Sequence, residues 1–103
     1  MAINIFLVNE DLKNFVMDLG HIDINNDYYQ LRKITRELNL PITSTIDDCG
    51  DTIINKPQLE ILKKEIQQLR VRADISQAIL NTLQKAADIM SAHKYEYIRF
   101  IGD

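Results

Sequence analysis

The chain has 103 residues, 46% hydrophobic and 26% charged, with only three glycines and two prolines, a composition that fits one ordinary globular domain and excludes a disordered or collagen-like chain. Its formal net charge of -3 and pI near 5.3 exclude direct electrostatic binding of nucleic acid, which draws its affinity from lysines and arginines replacing counterions on phosphates. A single cysteine, Cys49, leaves no internal disulfide and points to the cytoplasm.

From Ile3 to Val8 the residues are nearly all β-branched, aromatic or aliphatic, which predicts a short, well-buried strand. No basic segment precedes this run and the acidic pair Glu10 and Asp11 follows it, so it is not read as a signal peptide. No stretch approaches the ~18 consecutive apolar residues that a bilayer crossing requires. Between Asn9 and Asn25, Leu12, Phe15, Val16 and Leu19 fall at helical spacing and stop at Gly20, which predicts a short helix. Asn26 or Asp27 then caps a second helix carrying Tyr28, Leu31, Ile34, Thr35 and Leu38 on one stripe, ended by Pro41. Residues 41–51 read as a loop, with Asp47 and Asp48 ahead of a turn at Gly50.

The clearest start signal belongs to the next helix, 57 to 69: Asn55 as cap, Pro57 in the first turn and Gln58 completing a capping box. Its apolar stripe is Leu59, Leu62, Ile66 and Leu69. Asp74 with Gln77 repeats the cap pattern before a last long helix with Ile79, Leu83, Ala86 and Met90 on its stripe. The short join near Arg70 to Ala73 predicts a helical hairpin or one bent helix. Tyr95 to Ile101 is aromatic and β-branched again, and pairing of the two terminal strands is expected. The predicted architecture is a single domain over 1–103, mainly α within the α+β class: three to four helices, a central helical hairpin and short terminal strands.

No catalytic constellation emerges. His21 sits in an Asp- and Asn-rich stretch and His93 at a helix end, where structural or surface roles are the ordinary ones. Asp47, Asp48 and Asp51 surround Cys49 and would raise its thiol pKa, which makes it a poor nucleophile. The same acids fail the spacing of an EF-hand calcium loop, so neither a metal nor a cofactor is expected. What remains is charge pattern. Glu10, Asp11, Asp18, Asp23 and Asp27 dominate the first quarter and the acidic turn adds three more, opposite a small basic patch at Arg32, Lys33 and Arg36. Such a bias suits a cationic partner, because complementary fields speed encounter and fix orientation.

The run from Ser44 through Gly50, Asp51, Thr52, Ile53, Ile54 and Asn55, followed by Gln58 and Glu65, resembles small bacterial immunity proteins of polymorphic-toxin systems, including contact-dependent growth inhibition. The ending Tyr97, Ile98, Arg99, Phe100, Ile101, Gly102, Asp103 carries the same resemblance. It covers roughly the second half of the chain, and Cys49 is not part of the pattern. The resemblance implies a protein that binds and neutralises a cognate, basic toxin domain, commonly a nuclease, by stoichiometric occlusion, without contacting nucleic acid or membrane itself. The candidate partner-binding residues are Glu10, Asp11, Asp47, Asp48, Asp51, Tyr28 and Tyr29. A homodimer is left open, and the alternative reading is a non-catalytic adaptor or helical-complex subunit that uses the 57 to 93 region as its contact face.

Overall fold

The computed structural model describes residues 1–102. In chain order the elements are Ala2–Val8 (β1), Phe15–Asp23 (β2), Asn26–Glu37 (α1), Asp51–Ile54 (β3), Lys56–Arg70 (α2), Gln77–Ser91 (α3) and Tyr97–Ile101 (β4), with one 3-10 turn at Thr43–Thr45. The strands form one four-stranded sheet in the order β2-β1-β4-β3, every neighbouring pair antiparallel. The mainly α expectation is therefore corrected: the fold is α+β, with a full four-stranded antiparallel sheet in place of two short marginal strands, α3 packed on that sheet and α2 packed on α3.

The largest departure is at 15–23, expected as a helix and found as β2, paired along β1 from Ala2–Asp23 to Val8–Phe15. Two register shifts place Leu19 and Val16 as extra residues opposite the Ile5/Phe6 and Leu7/Val8 steps. Gly20, at φ +105, supplies the backbone conformation that the first bulge needs, and Asp18 Oδ1 accepts from its N–H at 2.8 Å. The second departure is β3, four residues that the loop reading ran up to and did not continue into a strand.

The terminal strands do pair, Leu7 opposite Ile98 and Ile5 opposite Phe100, and β3 completes the other side of β4. One sheet face carries Ile3, Ile5, Leu7, Ile22, Ile54, Ile98 and Phe100 into the core, where α3 crosses β2, β1 and β4. The apolar stripes of α2 and α3 are spent on that same core. Lys56, at the start of α2, donates to the carbonyls of Met90 and His93, while Arg70 at its end donates to Gln77 and Asn81. The two helices thus run antiparallel.

The α2 cap is the one expected: Asn55 Oδ1 accepts from the Gln58 N–H at 3.0 Å and Gln58 Oε1 from the Asn55 N–H at 2.9 Å. The other caps move by a residue or two. Asn25 caps α1, and Ser76 caps α3, because Asp74 is held instead by a two-pronged pair with Arg72. Helix α1 ends before Pro41. Asn39 takes φ +54, its N–H donates to Arg36 O and that of Leu40 to Thr35 O, the two bonds of a Schellman stop.

Candidate functional site

Of the expected partner-binding residues, the three acids of the turn are largely committed within the molecule. Asp47 Oδ1 accepts from the Cys49 N–H at 2.9 Å, and that bond, more than anything else, lowers its carboxyl pKa. Asp48 lies 3.4 Å from Arg32 Nη1 and accepts from Tyr29 Oη at 3.4 Å. Arg32 of the basic patch is thereby drawn into neutralising the turn. Tyr28 is 1% exposed, and its hydroxyl donates to Ile46 O at 3.0 Å, so it braces the loop from inside and offers no surface to a partner. Tyr29 stands half-exposed at its edge.

The oxygens of Asp47 and Asp48 and the sulfur of Cys49 come within 4.8 Å of one another, close enough to share a cation, but Asp48 already faces a guanidinium. Cys49 is exposed, and its thiol pKa is raised, chiefly by the negative charge of Asp48. His21 pairs with Asp23 at 3.2 Å on the surface and His93 with Glu96 at 3.8 Å. A polar cleft of about 250 Å³ opens beside His21, between the first turns of α1 and α3.

The sheet face opposite the helices holds a different assembly. Residues directly opposite across the strands share a face, which gathers Phe6, Phe15, Tyr97, Arg99, Ile53 and Asp51 there. Phe15 stacks on Phe6 with ring centroids 4.4 Å apart and planes 5° from parallel, and the Arg99 guanidinium lies 6.0 Å from the Phe15 centroid. Arg99 also donates to the Asp51 carboxylate and, from Nη1, to Leu12 O at 3.2 Å. One guanidinium therefore joins β3 to the β1–β2 loop.

That loop is self-supporting. Asp11 Oδ1 accepts from the N–H groups of Lys13 at 2.7 Å and Asn14 at 3.2 Å, and the Leu12 N–H donates to Asn9 O. Leu12 is held at φ +64, uncommon for a branched aliphatic residue. The loop that carries Glu10 and Asp11 is thus tied through Arg99 to Asp51, far from it in the chain, while Asp48 faces Arg32 of α1.

Sequence reasoning missed Phe15, Val16 and Met17. Phe15 and Val16, read at helical spacing, and Met17, which lay outside that spacing, are 52%, 48% and 41% exposed along the edge strand β2. The signal available was three consecutive apolar residues that an alternating strand cannot all bury. Arg99 had no such signal. Comparison of the chain with protein-family models, curated proteins and solved structures returned no match.

Proposed function

We propose that this chain is an immunity protein of the polymorphic-toxin kind, acting in the cytoplasm by binding a cognate basic toxin domain in one-to-one stoichiometry and occluding its working surface. The observation that carries the reading is the Arg99 junction, which ties the acidic β1–β2 loop to Asp51 across the sheet face opposite the helices. Rim carboxylates there would orient a cationic partner, and the stacked phenylalanines beside them supply the apolar area that binding energy draws on. The resemblance of residues 44–65 and 97–103 to such proteins adds to this.

The geometry favours binding over catalysis, since the titratable clusters are surface pairs or turn-forming groups engaged with the backbone. An adaptor using the 57 to 93 helical region is not favoured, because the apolar stripes of that region are already buried in the core. The test is co-expression with a toxin domain encoded beside its gene. Growth rescue and a one-to-one complex on gel filtration are expected. Undiminished toxicity with the chain in molar excess would overturn the reading.

A further inference from the structure

Along the edge Phe15–Val16–Met17, the Phe15 ring is engaged by Phe6 and Arg99, yet all three residues remain about half-exposed. Exposed runs of three apolar residues are costly on a soluble surface, and on an edge strand they invite unwanted pairing unless something covers them. The neighbourhood states what could. At this end of the sheet, where Val8 pairs with Phe15, the carboxylates are Glu10 and Asp11 in the loop and Asp18 opposite Phe6. Of the cations, Lys13 lies in the same loop and Arg99 is already paired with Asp51, while Lys94 and Glu96, of opposite charge, precede Tyr97, the β4 partner of Val8.

We infer that the Phe15–Val16–Met17 edge of β2 is a docking surface for a basic protein segment whose apolar side chains cover these three residues while its lysines or arginines meet Glu10, Asp11 and Asp18. A second copy of this chain fits poorly, because its own edge would bring the same carboxylates against these. Strand-to-strand continuation is hindered too: Val16 bulges, and the Gly20 N–H is taken by Asp18. The identity of the partner rests on the toxin-neutralising reading; the location does not.

The experiment titrates the isotope-labelled chain at low salt with a soluble peptide of alternating leucine and lysine and follows the backbone amides by NMR. Shifts confined to 9–18 are expected, with weaker binding by a leucine–glutamate peptide. Phe15→Ser with Val16→Thr and Met17→Thr should weaken binding about tenfold, the scale of losing an interface anchor. Val16→Thr alone, an exposed swap of similar shape, should fold as the parent does and bind more weakly. Shifts centred on Tyr29 and Asp48, equal binding of the acidic peptide, or concentration-dependent self-association through β2 would each overturn the inference. Growth rescue is read separately: mapping to β2 without rescue sinks the neutralising function and leaves the docking edge standing, whereas rescue with mapping elsewhere sinks the edge.

Discussion

Glu65 sits on α2 with 4% of its surface exposed and accepts three hydrogen bonds, from the Ile42 N–H at 3.1 Å, the Thr43 N–H at 2.8 Å and Thr43 Oγ1 at 2.6 Å. Among the described residues it is the one buried charge, and it anchors the loop that α1 hands on to β3. Glu65→Ala leaves two buried amide donors without acceptors and should cost about 3 kcal/mol; Glu65→Gln, which keeps one acceptor oxygen, should cost less. Chemical denaturation of both variants checks the order, and equal stabilities would deny the carboxylate this part. Cys49 offers a chemical readout of the same segment. Because Asp48 disfavours the thiolate, Asp48→Asn should move the pH profile of iodoacetamide alkylation to lower pH and speed the reaction near neutrality. An unmoved profile would show that Asp48 does not govern the thiol. Gly102 shows a third constraint: a Cβ there would lie 2.6 Å from the Asp47 carbonyl oxygen and from Asp48 backbone atoms. The Cys49 effect was legible because its acids are chain neighbours, whereas the Glu65 and Gly102 contacts join residues far apart in the chain, although both residues did stand out through the resemblance.

At the scale of elements, what could be read was whatever is encoded locally. The α2 start was written in four adjacent residues, and Asn55→Ala should lower stability by about 1 kcal/mol in thermal or urea unfolding. An unchanged midpoint would mean that Gln58 and Pro57 hold the turn without the cap. Strand β2 was misread for a physical reason. Its bulges break the alternation of side chains, so that the buried residues are Leu19 and Ile22, three apart, and a bulged strand displays the spacing of a helix. Asp74 misled in the opposite way, since a capping residue in sequence became an ion-pair partner once Arg72 lay within 2.8 Å. The boundaries of β3 escaped notice because four residues between an acidic turn and a cap carry too little pattern to separate strand from loop.

For the whole molecule, the acidic residues were legible and their grouping was not. The bonds that define the junction, Arg99 to Leu12 and to Asp51, span 87 and 48 residues. The structure also changes which charges can be removed cleanly. Neutralising Asp48 or Asp51 would strand a guanidinium, whereas Glu10→Gln removes an exposed charge from the β1–β2 loop itself. That variant should leave the melting temperature nearly unchanged, slow association with a basic partner and flatten the dependence of the on-rate on ionic strength. Equal salt slopes for parent and variant would place recognition away from this face. The sheet order has a further consequence for biosynthesis. The strand β4 lies between β1 and β3, yet it follows every other element along the chain. On the ribosome, β1 and β3 therefore emerge with their inner edges bare and must wait for β4 to slot between them. Completion of the sheet is a late event, and stalled nascent chains that expose residues only up to 94 should remain open to limited proteolysis until Tyr97–Ile101 is released.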